Sequence, residues 1–232
     1  MKQLLHICFV VVIFFALVSV AAGGGLEDGL NAAESGDFKK AHQLWLAEAE
    51  SGNVSAQAYL GVLYAKGLGV VQDDTEAAKW FHLAAAQGDA PAQINLGTLY
   101  SKGRGVPQDD IEAAKWFHLA AEQGSAQAQS YLGVLYARGR GVAQDDKKSA
   151  KWFHLAAMQG EAKAQSSLGV MYDTGRGVTP NFVVACAWYT LAVENGEEAA
   201  RNNLESILKK LSPTEIEMSQ NIAEQIRLEI GD

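Results

Sequence analysis

The chain has 232 residues, of which 48% are hydrophobic, and its formal net charge at pH 7 is −8. Nucleic acids repel a chain this acidic and select basic surfaces, so we expect no nucleic-acid partner. The chain has two cysteines, Cys8 and Cys186, and Cys8 lies in a predicted leader. The mature protein would keep Cys186 alone, which excludes an intramolecular disulfide.

Residues 1–22 have the pattern of a secretory signal peptide. Lys2 supplies the positive start, residues 4–20 are almost all apolar, and Ala21 and Ala22 offer small residues for cleavage. The apolar run is slightly shorter than the roughly 20 residues of a membrane-spanning helix. We therefore predict a secreted or periplasmic protein with a cleaved signal. The alternative is a scaffold that the uncleaved segment anchors in the membrane.

Aromatic and small residues then repeat with a period of 36 residues, which the tryptophans mark at Trp80, Trp116, Trp152 and Trp188. A fixed period of roughly 20–50 residues is typical of a solenoid. We place four repeats in residues 60–203. Residues 23–59 are predicted to hold an N-terminal cap and a degenerate first repeat, because the stretch from Ala41 to Trp45 matches part of the pattern.

Each repeat is predicted to form two helices. In the copy at residues 88–124, Asp89 can cap the first helix, Pro91 lies in its first turn, and Gly103 ends it. Asp109 is followed by Glu112 three residues later, which predicts a capping box at the start of the second helix. Asp73 and Glu76 repeat that box, whereas the third copy keeps the cap at Asp145 but has Lys148 in place of the glutamate.

A glycine lies in the middle of each first helix, where it costs about 1 kcal/mol relative to alanine. We expect a neighbouring helix to approach closely at these four positions, which are Gly61, Gly97, Gly133 and Gly169.

The fourth copy departs from the pattern, as a terminal repeat with a solvent-facing or capped side does. Residues 204–232 are predicted to be C-terminal capping helices. Ser212 and Glu215 mark the start of the last one, and Ile222 and Ile226 belong to its apolar side.

These motifs resemble the Sel-one-like (Sel1-like) repeat, a relative of the tetratricopeptide repeat. The pattern A-x-x-x-L-G-x-x-Y, the G-x-G-V loop, the following aspartate and the W-x-x-x-A-A-x-x-G ending stand in residues 92–124, and the likeness covers residues 56–201. The resemblance implies an all-α, right-handed α/α solenoid of tandem 36-residue helix-turn-helix repeats. It also implies an adaptor that gathers other proteins.

The histidines of the repeated KWFHLAA motif are His82, His118 and His154. Equivalent atoms of stacked repeats lie roughly 10 Å apart, which is too far for two histidines to share a metal ion with bonds near 2 Å. We interpret these residues as architectural. The sequence also lacks a P-loop and the common hydrolase and zinc-protease motifs, so we predict no catalytic residue, no metal site and no cofactor.

Two further features have structural interpretations. The first aspartate of each Asp-Asp pair (as in Asp109-Asp110) can cap the second helix, and the helix dipole favours the second aspartate. Cys186 stands where the other copies have alanine, so we expect a small buried residue there.

Variable positions on the first helices form three columns, at relative offsets of 0, 3 and 7, which lie on one helix face. The resemblance implies that the first helices line the concave side of the solenoid. We therefore predict that these columns form a partner-binding groove, which the residues Tyr59, Val62, Lys66, Asn95, Thr98, Lys102, Tyr131, Val134 and Arg138 would line. Ser167 and Val170 continue the columns, and Arg104, Arg140 and Arg176 are expected to extend the row of cations.

We predict a non-enzymatic scaffold that binds a protein or peptide, with acidic groups meeting the row of cations. A second hypothesis is an enzyme that binds or hydrolyses β-lactams, since a disulfide-rich branch of the resembling family is associated with penicillin-like compounds. That branch has paired cysteines in its repeats, which this chain lacks.

Overall fold

The structure, a computed structural model, describes residues 24–231, and the predicted signal peptide at residues 1–22 lies outside them. Helices and short connections make up this whole range, with no β-strand in it. The prediction of an all-α solenoid of tandem repeats about 36 residues long is confirmed.

The chain divides into two compact units, and the first ends at Gln108. Its described part contains five helices of nearly equal length, joined by short turns. They are α1 at residues 24–34, α2 at Phe38–Glu50, α3 at Val54–Lys66, α4 at Asp74–Ala86 and α5 at Ala90–Lys102.

The second unit begins at Asp109. Five helices of the repeat pattern come first, and a 3-10 turn at Glu198–Ala200 and two further helices follow. The helices are α6 at Asp110–Glu122, α7 at Ala126–Arg138, α8 at Asp146–Ala157, α9 at Ala162–Thr174, α10 at Phe182–Glu194, α11 at Arg201–Leu208 and α12 at Pro213–Gly231.

The predicted aspartate caps form, but the reciprocal glutamate contact of the capping box does not form at Asp73. The carboxylate of Asp73 accepts hydrogen bonds from the backbone N–H groups of Thr75 and Glu76, at 2.8 and 3.1 Å. The Asp73 N–H donates to the carbonyl of Tyr64, at 3.0 Å. Glu76 is therefore not needed to satisfy it, and its carboxylate forms an ion pair with Lys79 instead.

The glycines inside the first helices lie under aromatic rings of the paired second helix. A Cβ atom built on Gly133 would lie 2.6 Å from the Phe153 ring, and one on Gly169 would lie 2.7 Å from the Tyr189 ring. Gly61 has the same relation to Phe81. Side chains cannot occupy such short distances, so the predicted close approach is present at these three positions.

Buried glutamines near the start of the first helices connect consecutive helices. Gln165 is fully buried, and its amide donates a hydrogen bond to the carbonyl of Ala157 at the end of α8, at 3.1 Å. Its side-chain oxygen accepts one from Asn195 at the end of α10, at 2.9 Å. One side chain thereby joins three helices. The same donation to a carbonyl eight residues earlier is made by Gln57, Gln93 and Gln129.

Helices α1 and α12 cover the outermost repeats of their own units. In the first unit, the indole N–H of Trp45 donates to the carbonyl of Leu26, at 3.2 Å, and the ring lies against Gly29. In the second, the Ser212 and Glu215 side chains cap α12 reciprocally. Ile222 and Ile226 pack against the apolar core that α8, α9 and α10 share. Across residues 24–231, no helix has the length and apolar character that a membrane crossing requires.

Candidate protein-binding groove

Two of the repeated histidines contact the tryptophan of the following repeat. The His118 ring lies edge-on to Trp152, with centroids 5.7 Å apart, and His154 stands in the same way to Trp188, at 6.1 Å. These contacts give the histidines a packing role between repeats. Of the residues that the structure describes, no three His, Cys, Asp or Glu side chains lie together in a group that could hold a metal ion.

The loop arginines are not free cations, which corrects the expectation that they extend the basic row. Arg104 pairs with Asp74 through two hydrogen bonds, at 2.7 and 2.9 Å. Arg140 and Asp110 repeat the arrangement in the next copy. The second aspartate of each pair therefore binds the arginine of the following loop, a role that the helix dipole alone did not predict.

In the first unit, the predicted site residues divide into packed and exposed groups. Tyr59 is half-buried, and its ring lies 4.7 Å from the ring of Trp45. Val62 and Asn95 are also half-buried.

The hydroxyl of Thr98, also half-buried, is used within its own helix, where it donates to the carbonyl of Ile94 at 2.8 Å. The exposed cations of this unit's columns are Lys66 and Lys102.

In the second unit, Tyr131 is more accessible than its counterpart Tyr59. Its side chain is 36% exposed, and one face of the ring lies against Phe117, with centroids 4.6 Å apart. Val134 is half-buried and Arg138 is exposed. Neither hydrogen bonds nor ion pairs connect the Arg138 guanidinium with any side chain in residues 24–231.

A cavity of about 280 Å³ opens between α7 and α9, with α8 as its floor. It brings together residues of all three columns, contributed by two successive repeats. Its wall residues include Val134, Arg138, Ser167, Val170 and the loop residue Arg176, and the Phe153 ring forms part of the floor. The lining therefore combines cationic and apolar groups around a small volume.

Two lining residues were missing from the sequence-based prediction, which considered only the three columns on the first helices. Ser149 is fully buried and donates to the carbonyl of Gly133, at 2.8 Å. Met171 lies beside it. A signal was present, because Ser149 replaces the alanine of the earlier copies and Met171 replaces their leucine. The cavity floor is thus where the third and fourth repeats depart from the common pattern.

Four consecutive matches to the Sel1 repeat cover residues 54–89, 90–125, 126–161 and 162–197. The chain belongs to the Sel1 repeat family. The period equals the one predicted from the tryptophans, but the matched repeats begin at the first helix of each hairpin, and the predicted ones begin inside it.

Two solved Sel1 repeat structures are similar to this chain over most of its length. A Sel1 repeat protein from Oxalobacter formigenes is 34% identical, with a TM-score of 0.73 over 77% of this chain and 74% of its own. A protein called c5321, described as a protective antigen present in uropathogenic Escherichia coli strains, has a TM-score of 0.83 and 32% identity. That match covers 90% of this chain and 46% of c5321, so this chain spans less than half of c5321. No match was found among curated proteins.

Sel1 repeat proteins generally act as scaffolds for protein interactions, and their fold is typically non-enzymatic. Because scaffolds bind their partners through surface features, the cavity between α7 and α9 is a candidate binding site.

Proposed function

We propose that this Sel1 repeat protein is an exported scaffold that binds a partner protein through the column residues of its first helices. The family role supports the general function. The cavity between α7 and α9 supports the assignment of the surface, because side chains of the variable columns line it beside the common core residue Phe153. Variation of wall residues on a common frame lets one fold bind different partners.

The accessible side chains of this surface are suited to a protein ligand. Tyr131 offers a rigid aromatic ring that is fixed on one side by Phe117. Arg138 offers an exposed guanidinium without an ion-pair partner in the described range. Tyrosine and arginine are residue types that contribute strongly to protein interfaces. Their placement on one helix favours binding of a protein segment along α7.

Export is the second part of the proposal and rests on residues 1–22. A cleaved signal predicts that the protein recovered from the cell envelope or medium begins near Ala22. Mass spectrometry of the intact exported protein measures this directly. A mass that includes residues 1–22 would contradict cleavage and favour the membrane-anchored scaffold.

Site-specific photo-crosslinking tests the binding surface in the protein's own host. A photoreactive phenylalanine at Tyr131 should give a crosslinked product with a partner protein. The same residue at Lys151, an exposed position of α8 that belongs to neither the columns nor the cavity lining, is the control. Crosslinking at position 131 should fall when Arg138→Glu is added and persist with Lys209→Glu, an equal charge change elsewhere. Equal crosslinking from positions 131 and 151 would overturn the assignment of the surface.

A further inference from the structure

The residues that line the cavity between α7 and α9 indicate which chemical groups a ligand should carry. Its donors are guanidinium groups, and much of the remaining wall is apolar. We propose that it binds a segment of the partner protein in which an aspartate or glutamate side chain is adjacent to an aliphatic side chain. This inference rests on the proposed function, since it names the partner segment for the same surface.

The two arginines that line the cavity, Arg138 and Arg176, have hydrogen-bond donors available for a ligand. Arg138 is exposed and makes no ion pair within residues 24–231. Arg176 uses its Nε and Nη2 atoms to bind Asp146 and the carbonyl of Ala137. Its Nη1 atom has no hydrogen-bond partner in the same range, which leaves its two N–H groups available. A planar carboxylate matches the paired N–H groups of a guanidinium.

Asp146 does not cancel this preference for an anion. Its carboxylate is held by Arg176, and it is not among the residues that line the cavity. No other acidic side chain lines it, so the arginines dominate the charge inside. A lysine or arginine of a ligand would meet repulsion at Arg138. Charge complementarity therefore favours an acidic partner segment, even though the protein as a whole is acidic.

The apolar part of the cavity lining is suited to an aliphatic side chain. Val170 is 37% exposed, and Val134 and Phe153 continue the apolar wall towards the floor. The hydroxyl of Ser167 donates to the carbonyl of Lys163, at 2.8 Å, so its oxygen is left as an acceptor for a ligand N–H. The lining thus combines one anion-binding position with one apolar position and one side-chain hydroxyl acceptor.

Selection from a random peptide display library tests this inference on the full chain. Peptides with blocked ends, or displayed internally, exclude a terminal carboxylate as the bound group. The wild-type protein should enrich peptides in which Asp or Glu stands next to Val, Leu or Ile. A resynthesised peptide of that class should bind about 10-fold more weakly after its acid is changed to the amide, because a charge-assisted contact is lost.

Single variants test which side chain causes each preference of the enriched peptides. Arg138→Glu should remove the preference for acidic peptides, and Val170→Ser should weaken the preference for the adjacent aliphatic residue. Lys209→Glu, outside the cavity, should leave both preferences unchanged. Circular dichroism of each variant confirms that the helices are intact.

The possible failures are distinguishable. Enrichment of peptides that have no acidic preference but bind more weakly to Tyr131→Ala would overturn this inference and leave the scaffold proposal standing. Enrichment that is unchanged in Arg138→Glu would overturn it as well. If the folded protein enriches no peptide and the crosslinking at position 131 also fails, the proposed function itself falls.

Discussion

The guanidinium of Arg140 donates two hydrogen bonds to the Asp110 carboxylate, with Nη2 at 2.6 Å from Oδ1 and Nε at 3.0 Å from Oδ2. The aspartate begins α6, and the arginine lies in the loop after α7. The hydrogen bonds to Asp110, and then its charge, raise the pKa of Arg140, so the guanidinium keeps its charge as the solution becomes alkaline. Next to it, Gly141 has a φ of 67° and leaves no room for a Cβ against the backbone of Asp110.

Replacing Arg140 by alanine should destabilise the second unit modestly. The two side chains are 37% and 28% exposed, so water and salt screen the pair, and we expect a loss of about 0.5–1 kcal/mol at low salt. Urea denaturation followed by circular dichroism measures it. Arg140→Lys should recover only part of the loss, because an ammonium cannot form both hydrogen bonds. An unchanged denaturation midpoint in Arg140→Ala would show that the loop holds its position without the pair.

Gly133→Ala should destabilise the protein although alanine favours helix formation. The gain in helix propensity is about 1 kcal/mol, but the new methyl group would meet the Phe153 ring at 2.6 Å. Overpacking of a core costs about 1–3 kcal/mol, so the contact should outweigh the propensity. Thermal unfolding of the variant gives the sign directly.

The partner ring provides the control for the glycine variant. In the background of Phe153→Leu, which gives the new methyl group more room, Gly133→Ala should cost clearly less than it does in the wild type. Additive effects of the two substitutions would contradict the contact as the cause.

Gln165→Leu should lower the free energy of unfolding by about 1–2 kcal/mol, even though leucine is more hydrophobic. The substitution removes the donor to the Ala157 carbonyl and the acceptor of the Asn195 amide. The Ala157 carbonyl keeps a hydrogen bond from Gly160, which limits the cost. Chemical denaturation is the measurement, and Gln220→Leu at an exposed position of α12 is the control. Equal stability of both variants would show that the buried amide contributes nothing.

The stability of the second unit should fall as the solution becomes alkaline. Burial raises the pKa of the Cys186 thiol above its ordinary value of 9.0 and the pKa of Tyr189 well above 10.0. Both groups lose protons in the unfolded chain before they do so in the folded one. Their stabilising effect is therefore complete below pH 9.0 and declines as pH rises further, by at most about 1.4 kcal/mol per pH unit for each group.

Cys186→Ala isolates the thiol contribution to this decline. The difference in unfolding free energy between wild type and variant should stay constant below pH 9.0 and shrink above it. In a separate measurement, a thiol reagent should modify Cys186 slowly in the folded wild-type protein, since Cys186 is 1% exposed. A difference that does not change between about pH 8 and about pH 10 would show that the thiol titrates alike in both states.

Features that depend on neighbouring residues along the chain were predictable. The caps at Asp73 and Asp109 and the helix ends at Gly67 and Gly103 follow from side chains within a few positions. The close approach at Gly133 was also predicted, because the cost of glycine in a helix requires a compensating contact. The repeat period then extended these local predictions over most of the chain.

Features that join residues about one repeat apart were not predictable in the same way. Nothing near Arg140 in the sequence indicates that Asp110 holds it, so the arginine was expected to face a ligand. Asp73 satisfies its own N–H with a carbonyl of the preceding helix, and this removed the reciprocal half of the expected capping box. The cavity floor at Ser149 and Met171 comes from packing between helices, which a face-by-face projection of single helices does not show.

The spacing of the arginine–aspartate pairs bears on how such a chain can change its length. Arg104 and Asp74, Arg140 and Asp110, and Arg176 and Asp146 are each separated by the same interval of 30 residues. A duplicated 36-residue segment would therefore carry both an arginine for the copy before it and an aspartate for the copy after it. Recombination could lengthen or shorten the protein by whole repeats without leaving either charge unmatched at the junction.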